Sequence, residues 1–260
     1  MTFEHLAFEQ RDAVTVLTLQ RAEKRNAIND ALLHELDEFF SSVPEATRAV
    51  VLQGAGEHFC AGLDLAERLA RPKRSPFDGV RHSRLWHQVF ERIQFGEVPV
   101  VCVLKGGVIG GGLELAAATH VRVAESTAFF QLPEGQRGIF VGGGGSVRVP
   151  RIIGVGRMVE MMLTGRRYSA EEGLQLGLAH YQVEPGAGLE RALTLAQQIA
   201  SNAALSNFAV IQGIARINDM SISDGLFTEA MVGALTRAGG DADQRIQSFF
   251  DGRKSTAAAE

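Results

Sequence analysis

Two glutamates that stand beside glycines are the residues of this chain best suited to chemistry. Glu114 follows three consecutive glycines at 110–112, and Glu134 stands between Pro133 and Gly135. Because glycine has no side chain, the backbone next to each carboxyl group can come close to a ligand. Carboxyl groups in such places can take and deliver protons beside a carbonyl group. The pattern therefore predicts acid–base catalysis on a carbonyl compound.

The glycines at 110–112 occupy a predicted junction between a strand and a helix. The apolar segment 98–104 predicts a buried strand, and a helix is expected from about Gly111 to Thr119. The first turn of a helix has unpaired N–H groups, which can hold a developing oxyanion. From these residues alone a second interpretation stays open, in which the glycines only allow tight packing and Glu114 is an ordinary first-turn carboxylate.

Two other glycine-bearing segments have weaker signals. The segment 58–65 contains Gly62 and Asp64, and by itself it is typical of a tight turn capped by the aspartate. Four glycines at 142–145 precede a predicted helix and could cradle a phosphate. No Lys-Ser/Thr pair follows them, and no dinucleotide fingerprint is present, so a nucleotide site is disfavoured.

The elements that must position these residues alternate at first and then become helical. Strands are predicted at 13–19 and 49–52, and a helix is expected after Asn29, which can cap it. The stretch 65–95 begins irregularly and ends with helical spacing, and helices dominate from about Ser146 onward. This order predicts an α/β core over 1–200 and a helical region over 201–260.

The composition is that of an ordinary globular protein. The chain has 260 residues, of which 45% are hydrophobic and 22% charged, and its net charge is −4. This charge gives no reason to expect nucleic acid or an anionic membrane as partner. Cys60 and Cys102 are expected to be free thiols, and no signal peptide or membrane-spanning run is found, so a cytoplasmic location is expected. Histidine and cysteine spacing predicts no metal site, and no serine-hydrolase elbow is present.

Several segments, in order along the chain, are similar to those of one family. They are 25–28, 59–65, 110–116, the stretch from Pro133 to Gly145, and 163–170 followed by 177–179. With these segments the chain resembles the crotonase, or enoyl-CoA hydratase/isomerase, family over nearly its whole length. The resemblance implies a spiral of ββα units with a helical C-terminal trimerisation region, assembled as a homotrimer or a hexamer built from two trimers.

The resemblance also implies an acyl-CoA substrate and no separate cofactor, since coenzyme A is part of the substrate. The backbone N–H groups of Leu63 and Gly111 would form the oxyanion hole, with Glu114 and Glu134 as the catalytic acids. The implied contacts to coenzyme A and substrate are Arg25, Ala27, Ala61, Asp64, Leu65 and Gly110.

Glutamate at both positions is typical of the family's hydratases, which add water across a 2-enoyl thioester. Dienoyl isomerases of the family usually have an aspartate where this chain has Gly142. We expect Glu134 to deliver a proton to the α-carbon and Glu114 to activate water. Double-bond isomerisation and hydration coupled to carbon–carbon cleavage remain alternatives. The acyl group stays open, because the pocket-forming stretch here includes Phe77, Trp86 and Phe90.

A family branch that binds RNA through a lysine-rich early helix is a further alternative. The corresponding helix here has three acidic residues, Glu35, Asp37 and Glu38, which would repel phosphate. We therefore expect no nucleic-acid partner.

Overall fold

A computed structural model describes residues 2–70 and 75–257. The strands are β1 (Leu6–Arg11), β2 (Val14–Leu19), β3 (Ala49–Gly54), β4 (Val100–Leu104), β5 (Gly107–Ile109), β6 (Val121–Glu125), β7 (Phe129–Gln131), β8 (Tyr168–Ser169) and β9 (Tyr181–Val183). The strands predicted at 13–19, 49–52 and 98–104 are confirmed.

In the described part of the chain, helices alternate with strands at first and follow one another from Gly188 on. They are α1 (Asp30–Ser41), α2 (Leu65–Ala70), α3 (Pro76–Gln94), α4 (Gly111–Ala117), α5 (Gly145–Ile153), α6 (Val155–Thr164), α7 (Ala170–Leu176), α8 (Gly188–Ala200), α9 (Ala204–Ile217), α10 (Ile222–Ala238) and α11 (Asp241–Ala257). Short 3-10 turns form at Ala22–Lys24 and Gly135–Arg137.

The larger sheet has the strand order β1-β2-β3-β4-β6-β9, and the smaller has the order β5-β7-β8. In the larger sheet β1 and β2 are antiparallel, whereas the other neighbours are parallel. All five residues of β4 are buried, as expected for a central parallel strand covered on both faces. The hydrophobic run of this strand is therefore what places it in the middle of the core.

The chain alternates between the two sheets before it enters a helix. β4 belongs to the larger sheet, β5 to the smaller one, and α4 follows directly. β6 and β7 repeat this alternation, and the bridge between Cys60 and Val108 extends the smaller layer toward the segment after β3. The pairs β4–β5 and β6–β7 thus each contribute one strand to each layer, which is the expected repeated ββα arrangement.

Helix α1 shows why the sequence forms these elements where it does. Asn29 caps it by accepting a hydrogen bond from the Leu32 N–H at 2.9 Å, as predicted. Leu32, Leu36 and Phe39 recur at helical spacing, and all are fully buried. Burial of each such side chain stabilises the fold by roughly 1.5–3 kcal/mol, so packing of this face determines the position of α1.

Several short strands were not predicted from the sequence. β5 has three residues and β8 has two, which is too short for a recognisable alternation of apolar and polar side chains. β9 lies in the region where helices were expected to dominate, and it extends the larger sheet by pairing with β6. Tertiary pairing, and not local pattern, makes these segments strands.

The chain divides into two compact units, Met1–Ile199 and Ala200–Glu260. The second unit consists of α9, α10 and α11 in its described part. The Ser221 hydroxyl caps α10 by accepting from the Asp224 N–H at 3.2 Å. In the described ranges no helix is long and apolar enough to cross a membrane.

Candidate active site

Parallel pairing of β5 with β7 brings the two glutamates to one place. The register sets Gly107 opposite Phe129 and Ile109 opposite Gln131. Glu114 follows β5 within the first turn of α4, and Glu134 follows β7 by three residues. Because parallel strands end at the same edge of a sheet, both carboxyl groups reach the same cavity.

Gly110 makes the room that the Glu134 carboxyl group occupies. Its backbone has φ 54° and ψ −123°, a conformation that side-chain-bearing residues rarely adopt. A Cβ atom built at this position would lie 2.7 Å from Glu134 Oε1. The Gly110 N–H donates to the Gln131 carbonyl at 2.9 Å, which ties the glycine to the strand that leads to Glu134.

The Glu114 carboxyl group is held by a second glycine segment. Its Oε1 accepts hydrogen bonds from the Gly143 N–H at 2.8 Å and the Gly145 N–H at 2.7 Å. A Cβ atom at Gly145 would lie 2.9 Å from this oxygen. The glycine run at 142–145, which the sequence suggested as a weak phosphate cradle, therefore binds a carboxyl group of the chain itself.

Both carboxyl groups are buried, and burial changes their ionisation. It raises the pKa of Glu114, although the N–H groups of Gly145 and Gly143 act in the opposite direction. Burial also raises the pKa of Glu134 to about 7, and the nearby charge of Glu114 adds to this effect. Within the described residues, Glu134 Oε2 is a buried oxygen without a hydrogen-bond partner. Glu134 therefore holds its proton more readily than an ordinary glutamate.

Two residues whose backbone N–H groups could act as donors, Leu63 and Gly111, line the same cavity as this pair. Gly62 O and the Asp64 N–H bond to Ile28, so the Leu63 N–H between them points to the opposite side of the segment, toward the cavity. Gly111 is the first residue of α4, where N–H groups have no partner in the helix. Within the described chain, neither N–H donates to a backbone carbonyl.

Gly62 brings these two donors close together. It has φ +83°, and a Cβ atom on it would lie 2.8 Å from the Gly111 nitrogen. The same atom would lie 2.6 Å from the Ile109 carbonyl oxygen. Only glycine fits this left-handed and crowded position.

A cavity of about 520 Å³ joins these groups. Its lining includes both glutamates, Leu63 and Gly111, together with side chains from α3 and the segment after Glu134. Trp86 forms part of the wall and is 5% exposed. The lining combines apolar side chains with charged and polar ones, among them Arg68, Arg84 and Arg137, so the cavity could take an organic ligand that also carries negative charge.

A sequence model of the enoyl-CoA hydratase/isomerase family matches residues 9–255. The chain belongs to this family. A short-chain-enoyl-CoA hydratase of Clostridium acetobutylicum is 31% identical over 257 residues, which cover 98% of this chain and 97% of the relative. The 2,3-dehydroadipyl-CoA hydratase of Escherichia coli is 31% identical over 250 residues, with 95% and 96% covered.

Solved structures of similar proteins confirm the crotonase fold. An enoyl-CoA hydratase from Bacillus anthracis superposes with a TM-score of 0.89 at 32% identity, covering 95% of this chain and 96% of that one. A Rhodopseudomonas palustris chain provisionally named an enoyl-CoA hydratase has a TM-score of 0.93 at 46% identity, with 98% and 99% covered. The expected family and fold class are thereby confirmed.

The other residues that the family resemblance suggested for coenzyme A and substrate lie in different places. Ala61, Leu65 and Gly110 line the cavity, whereas Arg25 and Ala27 are not among its lining residues. The Arg25 carbonyl accepts from the Ala61 N–H at 2.9 Å, so the segment at Arg25 borders the loop that contains Leu63. Contact of these residues with coenzyme A stays a prediction.

Asp64 is a capping residue, as the sequence suggested, and it has a second partner, Arg21, that the sequence did not reveal. Its Oδ2 accepts from buried Arg21 at 2.9 Å, and its Oδ1 accepts from the N–H groups of Ala66 and Glu67 at the start of α2. Burial opposes ionisation, but these hydrogen bonds and the Arg21 charge hold the pKa of Asp64 below its ordinary value. Asp64 thus joins the segment at Arg21 to the start of α2.

Neither cysteine has the features of a reactive thiol. Burial raises the pKa of Cys60 to about 12 and that of Cys102 as well. The Cys60 Sγ donates to the Asn26 carbonyl at 3.0 Å, which is a structural contact. Of the residues described, no three His, Cys, Asp or Glu side chains cluster in a way that could hold a metal ion.

The sequence did not reveal the carboxyl clamp, in which the N–H groups of Gly143 and Gly145 hold the Glu114 carboxyl group. It placed Trp86 only in the pocket-forming stretch. The spacing of His82, Trp86 and Phe90 on one face of α3 was a usable signal for an aromatic row. Nothing local indicated that the glycine run folds back onto Glu114, because the two segments are separated by about thirty residues in sequence.

Proposed function

We propose that this chain is an enoyl-CoA hydratase, which adds water in syn geometry across a 2-enoyl-CoA double bond or catalyses the reverse dehydration. One observation carries the proposal. The buried carboxyl groups of Glu114 and Glu134 line the same cavity as Leu63 and Gly111, whose N–H groups donate to no backbone carbonyl of the described residues. Hydration of an enoyl thioester requires these functions together: two proton-transfer groups and a site for an enolate oxygen.

The backbone donors would bind the thioester oxygen. Charge on this oxygen grows as the enolate forms, so hydrogen bonds from Leu63 and Gly111 become stronger in the transition state than in the ground state. Loss of one such donor in comparable sites costs about 3 kcal/mol of transition-state stabilisation. Coenzyme A is part of the substrate, and the reaction requires no separate cofactor.

The two glutamates would divide the proton transfers. Glu114, held by two N–H groups at its Oε1, takes a proton from water while the water oxygen bonds to the β-carbon. The electron pair of the carbon–carbon double bond moves between the α-carbon and the carbonyl carbon, the carbonyl pair moves to the thioester oxygen, and the enolate then takes a proton at the α-carbon from Glu134. A pKa of about 7 supports this role, because Glu134 then keeps its proton near neutral pH. Transfer of the proton from Glu114 to Glu134 restores the starting state.

The assembly is proposed to be a homotrimer, or a hexamer of two trimers, as the family resemblance implies. In the C-terminal unit, Ile214, Phe227 and Met231 are large apolar side chains that are 64%, 68% and 58% exposed. An apolar surface of this kind is typical of an association face. A cytoplasmic location and the absence of a nucleic-acid partner stay predictions.

A substrate panel tests the reaction. Loss of the conjugated enoyl-thioester absorbance is followed for short, long, branched and aromatic 2-enoyl-CoAs, with 3-enoyl-CoAs to detect isomerisation and 3-hydroxyacyl-CoAs to detect carbon–carbon cleavage. Parent activity should be reduced by large factors in Glu114→Gln and Glu134→Gln, whereas exposed Glu38→Gln serves as the matched control. No hydration of any enoyl-CoA would refute the proposal, and turnover of a 3-enoyl-CoA alone would establish an isomerase.

A further inference from the structure

The single tryptophan of this chain, Trp86, forms part of the wall of the candidate active site. Trp86 lies on α3, is 5% exposed, and lines the cavity. Its ring stands edge-on to Phe90 with ring centroids 5.5 Å apart, and to His82 at 6.3 Å. His82 is itself held by Asp30, whose Oδ1 lies 2.8 Å from its Nε2. The indole is therefore fixed from both sides along its helix.

The indole packs directly on two glycines from different segments. A Cβ atom built at Gly111 would lie 2.8 Å from Trp86 Cζ3. A Cβ atom built at Gly143 would lie 3.1 Å from Trp86 Cε3 and 2.9 Å from Phe90 Cε2. Both glycines thus approach the ring as closely as their lack of a side chain permits.

These two glycines carry N–H groups with separate tasks in the proposed reaction. The Gly111 N–H faces the position of the thioester oxygen, and the Gly143 N–H holds Glu114 Oε1 at 2.8 Å. α4 carries the first, whereas the second belongs to the loop before α5. The Trp86 ring lies against both, so it sets the spacing between them.

We propose that Trp86 is a positioning residue for hydration: its ring holds the oxyanion donor Gly111 and the Glu114 clamp at Gly143 in fixed relation. This inference rests on the proposed function. A rigid indole suits the task because packed aromatic rings have few rotamers, and misplacement of catalytic groups by about 1 Å can reduce rates by about 100-fold.

The test compares three variants with the parent. Trp86→Leu removes the ring, and Trp86→Phe retains an aromatic ring of smaller size. Phe39→Leu removes a fully buried ring from α1 that is not among the cavity residues, and so controls for a general loss of core packing. Thermal unfolding of all four proteins establishes which are folded before kinetics are measured.

Two readouts separate positioning from folding. The first is the division between kcat and KM for the best enoyl-CoA of the panel. The second is the ratio of affinities for acetoacetyl-CoA, whose β-keto thioester can ionise to an enolate, and butyryl-CoA, which cannot. A group that positions the oxyanion donor changes this ratio, whereas a merely structural group lowers the amount of folded protein and leaves the ratio intact.

Trp86→Leu should lower kcat by about 30-fold with KM changed less than about three-fold, and should lower the affinity ratio by about 10-fold. Trp86→Phe should recover part of both, and Phe39→Leu should keep both. An unchanged kcat and ratio in the two Trp86 variants, or equal losses in Phe39→Leu, would overturn the inference. If the parent hydrates no enoyl-CoA, the proposed function fails and the hydration role of Trp86 fails with it, whereas a parent that hydrates enoyl-CoA while both Trp86 variants keep its kcat and affinity ratio overturns this inference alone.

Discussion

Replacing Gly145 with alanine tests whether the hydrogen bonds that hold Glu114 matter for catalysis. The new Cβ atom would lie 2.8 Å from Glu114 Cγ and 2.9 Å from its Oε1. These distances are shorter than van der Waals contact, so the carboxyl group has to retreat by about half an ångström or more. Gly145 itself has no left-handed backbone conformation, so the methyl group, not backbone strain, is the perturbation.

The size of the effect follows from the hydrogen bond that is stretched. The Gly145 N–H lies 2.7 Å from Oε1, and a retreat of this size takes the distance past that of a good hydrogen bond. A hydrogen bond to a charged group contributes about 1.5–3 kcal/mol. A loss of about 2 kcal/mol in the transition state corresponds to a roughly 30-fold lower kcat.

The assay is the initial rate of loss of enoyl-thioester absorbance, measured across substrate concentrations. Gly156→Ala is the matched control, because Gly156 lies on α6 with no atom within 4 Å of the added Cβ. This variant should keep kcat, and its helix should gain up to about 1 kcal/mol of stability. Thermal unfolding of both variants shows that each is folded at the assay temperature.

A double variant decides whether the loss acts through Glu114. If it does, Gly145→Ala should lower kcat little further in a chain that already carries Glu114→Gln, since the two changes affect one group. Parent-like kcat in a folded Gly145→Ala enzyme would refute the reasoning that this carboxyl clamp supports catalysis.

Three further outcomes are expected. Burial raises the pKa of Glu134 to about 7 from an ordinary 4.5. The contribution of this group to the free energy of unfolding is therefore fully present below about pH 4.5 and is lost as the pH rises through 7. At pH 8 the free energy of unfolding of Glu134→Gln should therefore exceed that of the parent by on the order of 2 kcal/mol, after allowance for solvent in the cavity, and at pH 4.5 the two should be similar. Thermal unfolding at both pH values measures this difference, and equal melting temperatures at pH 8 would contradict the buried-acid interpretation. Leu63→Ala should keep kcat within about three-fold of the parent, because the donor is a main-chain N–H group. Gly62→Ala should abolish most activity, because its Cβ atom would meet the neighbouring backbone. A Leu63→Ala enzyme slower than Gly62→Ala would exclude a backbone oxyanion hole. Asp64→Asn breaks a buried ion pair with Arg21 and should lower the free energy of unfolding by about 3 kcal/mol in urea titrations, while a loss below about 0.5 kcal/mol would mean that the pair is not stabilising.

Much of the core could be predicted because its signals are local. The run of apolar residues in β4 and the capped, periodic helix α1 each determine their own conformation within a few residues. β5 and β9 could not be found in this way, since both are strands only through pairing with partners that are distant in sequence.

The residues of the candidate site also fall into those that local sequence reveals and those that it does not. Glu114, Glu134 and the glycines beside them were evident from residue type, because close backbone approach has a direct steric requirement for glycine. The Asp64–Arg21 pair and the contact of Trp86 with Gly111 were not, since each joins segments separated in sequence by tens of residues.

The sequence by itself determined which groups can act here: two carboxyl groups, and glycine-flanked backbone that can present N–H donors. Only the tertiary structure decided what these groups can do together. It buries Glu134 beside Glu114 and raises its pKa to about 7. It also brings the glycine run at 142–145 into hydrogen-bonding contact with Glu114 and packs Trp86 against Gly111. Ionisation and distance depend on the surroundings that folding assembles, and no stretch of sequence contains those surroundings.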